Sequence, residues 1–401
     1  MTGQSSAYRD LLHLPDLPAL LTATLFSRLG GAMFTLTVVL YALTRFASPA
    51  LAGWLALAAV APGVAISPAA GALLDRIGPA RAIAVDMAAS AALVAAMIIA
   101  DLSAAGATAL FVLVAMFSLT SPLSAAGVRT LLPRLVPYHA LDRANGLDTA
   151  IGAIAEVCGP ALAGLLAGFA GPRTSLATIA ATYGAAAIGV LAIRSRPRPP
   201  PGPGALLRQT VQGLHAVIGQ PTLRGLAISY GFYQVACGML LIAVPVALAA
   251  HLSTATRDLG AGLLWAIAGL GGGIGALLAG HLRTAGRERA VMAAGMIATA
   301  LAACPLAALF GLTGLLLGLP LAGLVAGAVD VSLLTLRQRR TDPAELGRVM
   351  AVSISLNVAG FPLGSAIAGA LVTHSVAATF AAAGIAAALG ALAVRAIPAE
   401  G

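Results

Sequence analysis

The chain has 401 residues, of which 59% are apolar and only 9% charged, and its formal net charge of +9 comes from 23 cationic residues against 14 acidic ones. So little charge cannot clothe a water-soluble domain of this size, which excludes a soluble enzyme and calls for a bilayer, where each span takes about 20 apolar residues. Every cation is an arginine, and the arginines fall in short connectors between apolar runs, a pattern of membrane orientation and not of a nucleic-acid-binding stripe.

Residues 1–16 carry Arg9, Asp10, His13 and Asp16 without an apolar segment, so no signal peptide is expected. Apolar runs then fall at roughly 18–42, 49–71, 81–101, 105–128, 144–168 and 174–193, and again at roughly 222–250, 258–280, 288–309, 313–336, 346–372 and 375–396. The proline-rich break from Arg194 to Gly204 cannot continue a helix and reads as an extended linker, followed by a stretch from Ala205 to Gln220 suited to lying on the membrane surface. The expected organisation is all-α and membrane-embedded. A six-helix bundle spans 1–193, a linker 194–221, and a second bundle 222–401.

With residue 1 placed in the cytoplasm, nineteen arginines fall on the cytoplasmic side, three (Arg45, Arg173, Arg257) fall outside, and Arg28 lies within a span. That asymmetry predicts two cytoplasmic termini. The halves also repeat. A shift of 205 residues carries Arg134, Leu141, Arg143, Gly159, Ala163 and Gly164 onto Arg339, Leu346, Arg348, Gly364, Ala368 and Gly369. Twelve helices in two matching sets, related by a pseudo-two-fold axis, describe a transporter built by parallel duplication.

Two motifs carry a family resemblance. The turn after the second span reads Gly71-Ala-Leu-Leu-Asp75-Arg76-Ile-Gly78-Pro79-Ala80-Arg81. It resembles the G-x-x-x-D-R-x-G-R-R loop of the major facilitator superfamily, with Gly71, Asp75, Arg76, Gly78 and Arg81 matching and Pro79 and Ala80 standing where the pattern has cations. In the fifth span, Gly159-Pro160-Ala-Leu-Ala-Gly164 is similar to the family's antiporter-associated G-P-x-x-G-G motif. The connector from Arg129 to Asn145 resembles that of bacterial macrolide and siderophore exporters. One departure is that no arginine lies midway along the fourth span, where many proton-coupled drug exporters carry one. The resemblance implies a monomeric inner-membrane secondary transporter of the multidrug, drug:proton antiporter type. It further implies that Asp75 faces the start of helix 11 near Leu346 and closes the cytoplasmic side.

Charge inside a span costs about 2.5–3.5 kcal/mol on insertion scales, so each such residue is a functional candidate. Arg28 and Glu156 both fall near the midplane, on helices expected to be neighbours, and an Arg28–Glu156 ion pair facing the cavity is expected. Asp148, Gly152 and Glu156 share one stripe, with Asp148 read as a helix-start carboxylate. Asp330 is a second proton site, or else a partner for a cytoplasmic arginine such as Arg129, and Asp86 is expected to pair with Arg81 or the connector. Tyr230, Tyr233 and Gln234, Asn357, and Ser118, Thr120 and Ser121 supply the few polar anchors of a mostly apolar cavity. The glycines of helix 8 (Gly269, Gly271, Gly272, Gly273, Gly275) are expected to face helix 5.

Cys158, Cys237 and Cys304 lack disulfide or metal spacing, and no phosphate-cradling loop, cofactor motif or nucleophile–base pair stands out. The chain reads as a non-enzyme whose partners are a small amphipathic molecule, protons and the bilayer, not nucleic acid. Proton-coupled efflux is the leading expectation. Uptake or facilitated diffusion of a small metabolite is the rival, and a non-transporting receptor or scaffold a more distant one.

Overall fold

The computed structural model describes residues 11, 13–137, 140–191, 193, 214, 215, 217–281, 286–341, 353 and 356–398. Most of the expected linker and of the surface stretch that follows it lies outside these residues, as does the predicted start of helix 11.

The described residues form twelve helical rods. The first six are α1 (Leu17–Arg45), α2 in two segments (Pro49–Ala58 and Ala61–Ile77), α3 (Pro79–Leu102), α4 (Ala107–Leu135), α5 (Leu141–Ala170) and α6 (Pro172–Leu191). The second six are α7 (Pro221–Ala249), α8 (Thr254–His281), α9, α10, α11 (Gly360–Leu371) and α12 (Val376–Ala393). Helix α9 starts as Glu288–Ala298 and runs through a π turn, Thr299–Ala303, into the stretch Cys304–Arg339. A left-handed Gly311 (φ 53°) divides that stretch, and residues 312–339 form α10. Ten described helices are long and apolar enough to cross a membrane, and Leu356–Leu371 is a shorter apolar one. Outward-facing side chains are apolar: Phe169, Leu277 and Leu309 are 77%, 76% and 75% exposed, a distribution that only lipid satisfies.

Local chemistry sets the rod ends. Gly78 (φ 86°, ψ 154°) closes α2, its N–H donating to the Leu74 carbonyl at 2.8 Å, and Pro79 opens α3 at once. Gly171 (φ 83°, ψ 159°) and Pro172 make the same joint between α5 and α6. Only glycine takes such a backbone without strain, and proline is pre-shaped for the first turn of a helix. Ser48 and Ser375 cap α2 and α12, each side-chain oxygen accepting a backbone N–H at 3.1 Å. The interruption of α2 at Ala59 and Val60 has a tertiary partner, because the Gly63 N–H donates to Ser118 Oγ on α4 at 2.9 Å.

Within the first half, α1 packs on α5 and α6, and α3 on α4 and α6; within the second, α7 packs on α11 and α12, and α8 on α10. The halves meet through two principal pairs, α5 with α8 and the first segment of α2 with α11. Both contacts are backbone against backbone. A Cβ on Gly164 would lie 2.5 Å from the Gly262 Cα, and one on Gly369 would lie 2.9 Å from the Gly53 Cα. Gly159 and Gly364 seat α5 on Ala32 of α1 and α11 on Val235 of α7, within their own halves. The glycine-rich face predicted for helix 8 is corrected in direction. Gly269 does approach Val157 of α5, but Gly271 and Gly275 pack on Pro320 and Leu324 of α10, and Gly273 has nothing near it. The residue of α8 that meets the antiporter-like motif is Gly262.

Replacing Gly262 with valine should therefore drive α8 off α5 and lower stability by about 1–3 kcal/mol, as overpacking does. Gly273→Ala, in open space, should be neutral or stabilising by up to about 1 kcal/mol. Thermal melts in detergent compare the two.

Candidate functional site

The charged centre is built on α1 and α5. Their close packing at Gly159 brings Arg28 alongside Gly152, where a Cβ would lie only 2.8 Å from Arg28 Nη1. The guanidinium lies in the groove that this missing side chain leaves. From there it donates to the Asp148 carbonyl oxygen at 2.6 Å and to Asp148 Oδ2 at 2.8 Å. The expected Arg28–Glu156 pair is thus corrected: the partner is Asp148. Two acceptors on one residue outcompete the single carboxylate one turn in the other direction. Asp148 is no helix-start residue either, because α5 begins at Leu141, two turns earlier. Glu156, one turn beyond Gly152 on the other side, is exposed.

The second half contributes Asp330 of α10, whose Oδ1 accepts from the Tyr230 hydroxyl of α7 at 2.6 Å. That bond, not a salt bridge to Arg129, is Asp330's partner. Asp330 on α10 and Glu156 on α5 thus place one intramembrane carboxylate in each half. Two turns further along α10, Arg337 is buried at 2% exposure, with Asn357, just before α11, turned so that its amide oxygen accepts from Arg337 Nη2 and its nitrogen donates to the Ser353 carbonyl at 3.2 Å. Arg337 Nε is buried without an acceptor. Sequence reasoning missed Arg337 by counting it with the connector cations; its spacing of seven residues from Asp330, which shares a helix face, was the available signal.

Other expected cavity residues are placed elsewhere. Tyr233 is buried, its hydroxyl 3.3 Å from Thr299 Oγ1 in the π turn of α9, so it braces the second half internally. Gln234 lies at the α7–α11 contact, its Cβ beside Gly360. Ser118 is committed to Gly63. Asp86 is buried between α3 and α4, where the Ser90 hydroxyl donates to it at 3.2 Å and meets Thr120 at 3.3 Å; it does not pair with Arg81. Arg76 and Arg81 are exposed, and Gly78 makes the turn between them. The Asp75 side chain and the segment around Leu346 lie outside the described residues.

The opposite end carries a network not foreseen. Asp101 of α3 accepts from the Tyr41 hydroxyl of α1 at 2.5 Å and from Arg173 Nε of α6 at 2.7 Å, and pairs with Arg45 at 3.4 Å. Arg257 of α8 pairs with Asp258 at 2.6 Å and donates to Thr44 Oγ1 of α1 at 2.8 Å, crossing between the halves. All three arginines assigned to the sparse side are therefore engaged by carboxylates.

The comparisons with known proteins agree with this architecture. The family model described as Major Facilitator Superfamily matches residues 20–223 and 226–400. The uncharacterized MFS-type transporter y4rN of Sinorhizobium fredii is 51% identical over 393 residues, covering 98% of this chain and 97% of that protein. The enterobactin exporter EntS of Citrobacter koseri is 29% identical over 259 residues, 61% of this chain and 59% of that protein. Among solved structures, the nucleoside transporter NupG superposes with a TM-score of 0.76 at 14% identity, covering 95% of this chain and 98% of that one. A D-xylose–proton symporter superposes with a TM-score of 0.70 at 16% identity, covering 98% and 99%.

Double-mutant cycles test the charged centre. Arg28→Ala with Asp148→Ala should give a coupling energy of about 1 kcal/mol or more, and Arg28→Ala with Glu156→Ala one near zero. The measurement is the unfolding free energy of each single and double variant in the same detergent.

Proposed function

We propose that this chain, which belongs to the Major Facilitator Superfamily, exports an amphipathic organic small molecule in exchange for protons by alternating access. The observation that carries the reading is one intramembrane carboxylate in each half, Glu156 on α5 and Asp330 on α10, the latter accepting from the Tyr230 hydroxyl at 2.6 Å. When both are ionised, like charge on the two halves disfavours their approach. Protonating either removes that repulsion. Arg28 is held by Asp148, so Glu156 is the carboxylate of that stripe left to take up a proton or meet a cationic substrate group.

The arrangement supports the expected cycle. The halves are joined at the end bearing Arg45, Arg173 and Arg257, through the glycine contacts and the Arg257–Thr44 bond. On this reading that end is external, both termini are cytoplasmic, and the site opens toward the arginine-rich face of the inner membrane. Asp75 would engage the start of helix 11 when that face closes in the alternate state. A proton moving inward across about 100 mV supplies about 2.3 kcal/mol toward each turnover. Export is favoured over uptake by the similarity to the enterobactin exporter, and spans with so few polar side chains suit an amphipathic cargo.

Everted membrane vesicles provide the test, with enterobactin and ethidium as probes. In energised vesicles carrying the wild-type chain, addition of an accepted probe should raise the pH of the acidified lumen. Asp330→Asn and Glu156→Gln should abolish that response while leaving the amount of folded protein unchanged. Probe movement without any lumen pH change would favour a uniporter and overturn the exchange.

A further inference from the structure

Outside the central site, the second half carries a cavity of about 750 Å³ between α9, α10 and α12. Its apolar wall includes Ala293 and Ile297 of α9 and Leu392 of α12, and Ile297 and Leu392 are half exposed on the lipid-facing surface. Three arginines line the same cavity at one end of these rods. Arg289 lies in the first turn of α9, Arg340 immediately after α10, and Arg395 in the 3₁₀ turn Val394–Ala396 that ends α12.

Among the described residues the charge balance around this cavity is one-sided. Glu288, the carboxylate in the lining, is 2% exposed and is neutralised by Arg339 at 2.7 Å. Arg340 is oriented by the Pro398 carbonyl, to which its Nη1 donates at 2.7 Å. Among the described residues Arg289 and Arg395 form no salt bridge, and Arg289 Nε is shielded from solvent without an acceptor. A buried N–H donor left unmatched at the rim of an apolar groove calls for an anionic oxygen attached to a hydrocarbon tail.

We propose that this cavity is a binding site for an anionic phospholipid. Its phosphodiester is held by Arg289, Arg340 and Arg395, and one acyl chain lies along the α9–α12 groove past Ala293 and Ile297. The guanidinium fork matches phosphate oxygens in pairs, and basic pockets between spans at a membrane face are suited to acidic head groups. The groove commits the site to a lipid: a free phosphate ester would use the arginines but leave the apolar wall unfilled.

Binding can be read on the purified full-length chain by native mass spectrometry and by the shift in melting temperature on adding lipid. The probes are dioleoyl phosphatidylglycerol, dioleoyl phosphatidylcholine and glycerol phosphate. Phosphatidylglycerol should bind well above the other two, and each of Arg289→Gln and Arg395→Gln should weaken it by about fivefold. Ala293→Phe, which fills the groove and leaves the arginines in place, should reduce phosphatidylglycerol binding as well, and it serves if the arginine variants do not fold. Equal binding of phosphatidylcholine, glycerol phosphate binding as tightly as the lipid, or folded variants that keep wild-type affinity would each overturn the assignment.

Discussion

Two helices in lipid gain nothing by hiding apolar surface from each other, because the surrounding acyl chains are just as apolar. What holds the two bundles together must be direct contact, and here it is backbone on backbone at Gly164 with Gly262 and at Gly53 with Gly369. The 205-residue repeat carries Gly164 onto Gly369, so one contact is made twice, once by each half. A parallel pair, Gly159 and Gly364, sets α5 against α1 and α11 against α7. The first of these brings Arg28 to Gly152, and with it the charged centre into being. Close approach at a few positions without side chains thus decides both where the bundles touch and where the polar groups gather.

Much of this was legible from the residues. Span length and apolar runs found the rods, and Gly78 and Gly159 stood out because their motifs need a glycine's geometry. The repeat located Gly164 and Gly369 together. What escaped depended on partners distant in sequence. The interruption of α2 is stabilised by Ser118, 55 residues away. The choice of Arg28 between Asp148 and Glu156 turned on a carbonyl acceptor and on α5 starting earlier than its apolar pattern shows. A stripe of carboxylates can be read from spacing, but not which of its members a flexible guanidinium will reach. Tyr233 is similar: its position in α7 was clear, while its pairing with a π turn in α9 was not.

The two ends of the bundle differ in how they handle charge. At the sparse end every arginine is matched, and Asp101 ties α1, α3 and α6 into one unit. At the other, arginines outnumber acids and lie at rod ends, where a negatively charged leaflet can meet them. Between these ends, several polar groups are supported by a specific neighbour: Asp148 by Arg28, Asp330 by Tyr230, and Arg337 by Asn357.

The joints at Gly78-Pro79 and Gly171-Pro172 leave a single residue between consecutive rods. They lie at opposite ends of the first half and follow α2 and α5, the two rods through which that half grips the other. A connector so short has no slack to absorb a sliding motion. A displacement of α2 or α5 is handed directly to α3 or α6, and α3 and α6 are packed on each other. In the second bundle left-handed Gly311 makes a similarly short joint between α9 and α10, while the π turn of α9 and the break in α2 are the places where a rod's own hydrogen bonding is interrupted.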